Sequence, residues 1–275
     1  MKEEQVPALR RELLSILDAV HQTCVRNNIK YYLVAGTALG AVRHHGFIPW
    51  DSDIDIAMDR EDYERFVTES DKLLDTPYYC ANFRNTAPWY HPHALIFKRT
   101  TSICWNKEYY ADKPDCPIYI DLFALDNVPD AIQERNQFEK KIKRMMYLMG
   151  RKECIIYTHN NFVQTSLKRL YANALDLVYP KNSYNDHFEQ TIRTYDSIDC
   201  QEKGILTSPY SFAQECINKD IIGEPRLYPF EGREYYGYEH IDEYLTQLYG
   251  NYMELPPPEE RKFHLELIDH IVCDD

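Results

Sequence analysis

The sequence predicts an α+β fold, a mixed β-sheet with flanking helices plus a helical region. Three observations lead there. Short apolar runs rich in β-branched and aromatic residues cluster before residue 128. Helical periodicity then dominates 129–200, and short strands and helices return from 201 onward. Segregation of this kind suits an α+β chain better than the regular strand–helix alternation of a doubly wound sheet. A chain of 275 residues can bury a real core, hiding roughly 70–75% of its unfolded surface.

Taken in order, Leu9, Leu13, Ile16, Val20 and Cys24 recur at helical spacing, which predicts an amphipathic helix over 8–26 that Asn27-Asn28 ends. Tyr31–Ala35 reads as a short buried strand. Gly36-Thr37 breaks it, and Ala38–Arg43 makes a turn or two of helix. Gly46 and Pro49 mark a loop. Ile54–Met58 is a second strand and Arg60–Leu74 a helix with Tyr63, Phe66, Val67 and Leu74 on one face. Strands are predicted at 78–83, 94–98, 101–105 and 117–123. Helices follow at 129–149, 161–178 and 184–196. The tail holds strands near 204–207 and 226–237, a helix at 241–249, a rigid turn at Leu255-Pro256-Pro257-Pro258 and a last helix from Glu259 to Val272.

Composition narrows the function. The apolar share of 44% and charged share of 27% are those of an ordinary globule. No stretch approaches the ~18 apolar residues of a membrane span, and the first residues lack a secretory apolar segment, so a cytoplasmic protein is expected. A net charge of −13 argues against a nucleic-acid partner. None of the eight cysteines pairs at C-x-x-C spacing, so they are expected to be reduced thiols.

The informative segment is Pro49-Trp50-Asp51-Ser52-Asp53-Ile54-Asp55-Ile56-Ala57-Met58. Residues two apart share a strand face, so Asp53 and Asp55 point together while Ile54 and Ile56 point into the core. Two adjacent carboxylates repel unless a cation sits between them. A hard divalent ion, Mg²⁺ or Mn²⁺, prefers such oxygen ligands. Asp51 joins the same face if the strand starts early. Upstream, Gly36 and Thr37 sit at a strand-to-helix turn, where a close backbone approach and free helix N–H groups suit phosphate oxygens. Downstream, Asp121 interrupts the apolar strand Pro117–Phe123, and a buried charge needs a partner or a metal. Arg43 is a candidate phosphate clamp, because guanidinium matches phosphate bidentately. Lys98 either faces phosphate or snorkels at a strand end. His91 and His93 flank Pro92 at metal-like spacing, but without partner cysteines zinc is not expected.

Gly-Thr, then Asp-x-Asp, then one Asp on a later strand resembles the layout of nucleotidyltransferase-fold enzymes. The stretch from Gly36 to Asp55, GTALGAVRHHGFIPWDSDID, resembles the signature of the LicD family more closely still. So do Ile120–Asp126, Tyr244-Leu245, Tyr249-Gly250-Asn251-Tyr252-Met253 and Leu255-Pro256-Pro257. The family usually has an acid where Ser52 stands and a proline where Ala124 stands.

The resemblance implies a nucleotidyltransferase-like catalytic core over 1–128, a helical region over 129–200 and a mixed C-terminal region over 201–275 that completes the active site. It implies transfer of a phospho-alcohol, best exemplified by phosphocholine from CDP-choline, to a sugar hydroxyl of a cell-surface glycan precursor, with release of CMP. Asp53, Asp55 and Asp121 would be the metal and catalytic set. Gly36, Thr37, Arg43 and Lys98 would face substrate, and the family pattern adds Arg261 and His264, for which a structural role beside the proline turn is the alternative. A basic amphipathic helix over 138–152 would suit contact with an anionic membrane and a lipid-linked acceptor, or would pack its apolar face on the main domain. Two other classes stand beside this one: a nucleotidyltransferase moving NMP from an NTP, and a non-catalytic nucleotide- or glycan-binding relative. Release of CMP rather than pyrophosphate separates the first two, and failure to bind a divalent ion with donor present marks the third.

Overall fold

The structure is a computed structural model that describes residues 1–87, 89–110, 113–157, 183–261 and 267–273, with the side chains of 150–157 and 183 left aside. A mixed sheet organises it. The strands are β1 (Tyr32–Leu33), β2 (Asp55–Asp59), β3 (Tyr78–Ala81), β4 (Ala94–Trp105), β5 (Cys116–Asn127), β6 (Glu202–Gly204), β7 (Ile217–Asn218), β8 (Arg226–Phe230), β9 (Arg233–Gly237) and β10 (Ile268–Val272). Their main order is β10-β4-β5-β2-β1-β9-β8, with β3 beside β4 and a small β6–β7 ribbon on the end of β5. The β2–β5 and β1–β9 pairs are parallel and the others antiparallel.

β5 shows how the sheet is dressed. Ile118, Ile120 and Leu122 are fully buried, while Tyr119, Asp121 and Phe123 between them are half-buried. Helix α1 (Val6–Asn27) packs Leu9, Leu13, Ile16, Leu17 and Val20 into the main core, lying across β4 and β5. Period 2 on the strand and period 3.6 on the helix therefore bury one face of the sheet. The opposite face stays partly open, and that face carries the acids.

Helix α2 (Ala35–His44) begins earlier than its sequence suggests: Gly36 and Thr37 lie in its first turn rather than breaking the chain before it. Helix α3 (Arg60–Leu73) covers β2 and β3. The runs at 94–98 and 101–105 form one strand, β4, whose register with β5 shifts between Lys98 and Ile103. That irregularity explains why the sequence reads as two pieces.

The helical region begins with α4 (Ile132–Tyr157) and resumes with α5 (Ser183–Ile192); the helix predicted at 161–178 lies outside the described residues. Phe138, Ile142, Met145 and Met149 of α4 pack against Phe188, Ile192, Leu206 and Phe212 as a second core. Of the two readings of this helix, the packed one describes its apolar stripe, whose partners are supplied by α5 and the 206–212 segment. Among the described residues no helix is long and apolar enough to cross a membrane.

The tail differs most from expectation. Instead of a helix from Glu259 to Val272, a short 3-10 turn at Pro258–Glu260 precedes β10, which pairs with Ser102–Trp105 of β4. The β-branched Ile-Asp-His-Ile-Val segment is captured by the outer half of β4, an edge that β3 leaves uncovered. Likewise 226–237 is a hairpin whose Glu231-Gly232 tip has left-handed backbone (φ 52° and 74°).

A buried ion pair joins the two cores. Arg60 donates to both oxygens of Asp126 at 2.7 and 2.6 Å, and also to Glu189 of α5 at 3.1 Å. Asp126 is 1% exposed, so neither charge has water to fall back on. Asp126→Ala is expected to cost about 3–5 kcal/mol in urea unfolding, and Asp126→Leu with Arg60→Met to recover most of it. A single-mutant loss under about 1 kcal/mol would place the pair among ordinary surface bridges.

Candidate active site

The central feature is a register. On parallel strands β2 and β5, Asp55 stands directly opposite Asp121. Neighbouring strands are about 4.8 Å apart, so the two carboxylates share one face within side-chain reach. Asp121 N–H donates to Ile54 O at 2.9 Å, locking that register. Ile54 and Ile56 are fully buried on the other face, as the alternation requires.

The glycine turn is tied to the same point. Asp55 N–H donates to Thr37 Oγ1 at 2.9 Å, and Val34 N–H donates to Asp55 O at 3.2 Å. A Cβ on Gly36 would meet Asp51 Oδ2 at 2.8 Å, so a larger residue there would push the Asp51 carboxylate aside. Ala35 takes a left-handed φ of 47°, and its N–H donates to the buried Tyr244 hydroxyl at 3.0 Å. The acidic loop is clamped from behind: Arg10 donates to the carbonyls of Ile48, Pro49 and Asp51 at 2.8, 3.0 and 2.7 Å.

Repulsion dominates the electrostatics. Burial, then the charges of Asp121, Asp51 and Glu215, hold the Asp55 carboxyl well above its usual pKa. Asp53 is exposed as a residue, with its carboxyl beside those of Asp51 and Asp55. There burial, the charges of Asp55 and Asp51, and a hydrogen bond to Asp51 push it up as well. None of Asp51, Asp53 and Asp55 forms an ion pair among the described residues. The acids do not yet close on one point, and no three Asp, Glu, His or Cys side chains among the described residues form a ready cage. Asp121 turns one oxygen to His93, whose Nε2–H donates to Oδ1 at 2.6 Å, and Asp53 leans on Asp51. In type the donors, carboxylate oxygens from β2, β5 and the loop before β2, fit a hard divalent cation.

The other predicted residues divide. Arg43 donates to Tyr252 O at 2.7 Å, and Arg261 donates to Pro256 O at 2.7 Å and lies 5.7 Å from the Trp50 ring centroid. Burial, against the charge of Tyr249 and together with that of Arg261, lowers the Arg43 pKa, so the two guanidiniums feel each other. Neither has a carboxylate partner among the described residues. Lys98 does not belong to the site: it shares the face of Ile118, opposite to Asp121, and its Nζ is 2.6 Å from Glu12 Oε2 of α1. His264 lies outside the described residues.

Sequence reasoning missed two groups. His93 carried only a zinc spacing that was set aside. Glu215, from the short helix Phe212–Glu215, is 3% exposed and is felt by Asp55, Tyr244 and Tyr249. Burial raises it to about 7 against hydrogen bonds from Ser208 and Ile205 and the charge of Lys143. Lys143 in turn donates to Ser208 O and, at 2.6 Å, to Tyr210 O. No local pattern marks either contact, because both arise from segments far apart in the chain.

A mixed α+β sheet whose paired strand acids lie beside a strand–glycine–helix turn is the arrangement expected of a phosphoryl-transfer enzyme. Comparison with known proteins agrees. The family model described as LicD/FKTN/FKRP, nucleotidyltransferase domain, matches residues 28–145. The chain is 32% identical over 254 residues to the lipopolysaccharide cholinephosphotransferase LicD of Haemophilus influenzae, covering 91% of this chain and 92% of that protein. It is also 41% identical over 68 residues to an uncharacterized protein of Rickettsia prowazekii, 22% of this chain and 26% of that one. The chain belongs to the LicD family and is a LicD-type phosphotransferase.

Glu215 gives a pH prediction. Its folded pKa lies above the unfolded one, so its contribution is full below the usual carboxylate range and is lost as pH rises through about 7. The loss should reach about 3 kcal/mol. Glu215→Gln should flatten chemical-denaturation stability over that window, and an unchanged slope would remove Glu215 from the account.

Proposed function

We propose that this enzyme transfers choline phosphate from CDP-choline to a sugar hydroxyl of a lipopolysaccharide-type glycan, releasing CMP, with Mg²⁺ or Mn²⁺ held by Asp53, Asp55 and Asp121 and with Asp51 beside them. The name of the Haemophilus relative supports the transferred group and the acceptor class. The observation that carries the reading is the register that sets Asp55 against Asp121, with the Asp55 carboxyl held well above its usual range. Carboxylates at these positions would repel a donor diphosphate unless a cation stood between them.

Such a cation would neutralise charge on the transferred phosphoryl and the departing CMP. The chain's own groups supply the rest. Gly36 leaves the first turn of α2 open for close approach of a phosphate. Arg43 and Arg261, with no carboxylate partner among the described residues, are the cations available to substrate oxygens. The proton of the attacking hydroxyl needs a carboxylate within reach, and Asp121 is the alternative candidate for that task should Asp53 and Asp55 alone hold the cation. Tyr210 and Tyr249 are hydrogen-bonded with ring centroids 5.8 Å apart, and Tyr249 feels Asp55. Their faces suit a trimethylammonium group. The seven described cysteines are free thiols, in keeping with a reaction on the cytoplasmic side of a membrane that carries the acceptor.

A donor screen with Mg²⁺ tests this: CDP-choline should release CMP faster than CDP-ethanolamine or CDP-ribitol, and Asp55→Asn should slow release by about 10²–10³-fold without lowering the melting temperature. Pyrophosphate release from an NTP, with CDP-choline inert, would make the chain a nucleotidyltransferase in activity as well as in fold.

A further inference from the structure

His93 is bonded to Asp121 by a short contact. Its Nε2 lies 2.6 Å from Asp121 Oδ1, and a carboxylate can only accept, so Nε2 carries the proton of that bond. The ring is 13% exposed and sits 4.4 Å from the Phe123 ring, centroid to centroid. Phe123 is two residues beyond Asp121 on the same strand face. The backbone is fixed as well: Trp89 Nε1–H donates to His93 O at 3.2 Å, and Pro92 restricts the approach. The other ring nitrogen, Nδ1, is buried and has no hydrogen-bond partner among the described residues. Keeping an imidazole with a stranded nitrogen is costly in a site that could hold an apolar ring. The return on that cost is the single bond to Asp121.

We propose that His93 is a positioning residue. By donating to one oxygen of Asp121, it holds that carboxylate in the groove against the repulsion of Asp53 and Asp55 and leaves the second oxygen free for a divalent cation. This rests on the metal reading given above. Outer hydrogen bonds to liganding carboxylates orient them, and their loss costs about 10–100-fold in metal affinity.

Two substitutions separate the bond from the packing. His93→Phe keeps a ring on Phe123 and removes the N–H. His93→Gln removes the ring and keeps an amide N–H of similar reach. Mn²⁺ binding by the purified full chain, read by electron paramagnetic resonance, is the measurement, with melting temperatures in EDTA alongside. The expected result is that His93→Phe loses about 10–100-fold in Mn²⁺ affinity while His93→Gln stays within about threefold of the parent. A normal His93→Phe, or an equal loss in both variants, overturns the positioning role and leaves the metal reading standing. Failure of the unaltered chain to bind Mn²⁺ overturns both.

Discussion

Everything in this enzyme's working face depends on one strand pairing. The parallel β2–β5 register sets Asp55 against Asp121 on one face of the sheet. The sheet core fixes that register from the opposite face through Ile54, Ile56, Ile120 and Leu122, all fully buried. A one-residue slip would send the acids into the α1 core and the isoleucines into the groove. Hydrophobic packing therefore holds two like charges where electrostatics alone would part them. Burial and the charge of Asp121 accordingly hold the Asp55 carboxyl well above its usual range.

The surroundings spend polar groups on the loops rather than on the acids. Arg10, which feels the charges of Glu231 and Asp51, donates to three backbone carbonyls of the 48–51 loop. Glu231, at the β8–β9 hairpin tip, accepts from Phe47 N–H at 3.0 Å and so braces the approach to the same loop. Tyr244 fixes the strained entry to α2, and Arg43 ties that helix to the carbonyl of Tyr252 in the tail. The C-terminal segment thus supports the turn that faces the acids, although it is far from them in sequence. Precise placement of loops around a charge cluster left uncompensated is what preorganisation for a charged ligand requires.

Much of this was legible in the chain. The Asp-Ile-Asp-Ile alternation marked both the strand and its acidic face. The isolated Asp121 in an apolar run marked its neighbour, and the Gly36-Thr37 step marked the turn that Asp55 grips. Each of these signals is local, with a period of two or a single out-of-place residue. Lys98 read ambiguously because its face depends on strand parity relative to Asp121, which only the β4–β5 register decides. The tail read as a helix because periodicity cannot see the open edge of β4 that captures Ile268–Val272. His93 and Glu215 were invisible for a related reason: each acquires its meaning from a partner on another segment, Asp121 in one case and Asp55 in the other.

The most direct measurement is a crystal of the enzyme grown with Mn²⁺ and CDP-choline, examined by anomalous scattering at the manganese edge. A peak between Asp55 and Asp121, within bonding distance of both and beside the donor diphosphate, is the predicted result. A well-ordered diphosphate with no manganese on those two carboxylates would contradict the claim that their pairing exists to hold a cation.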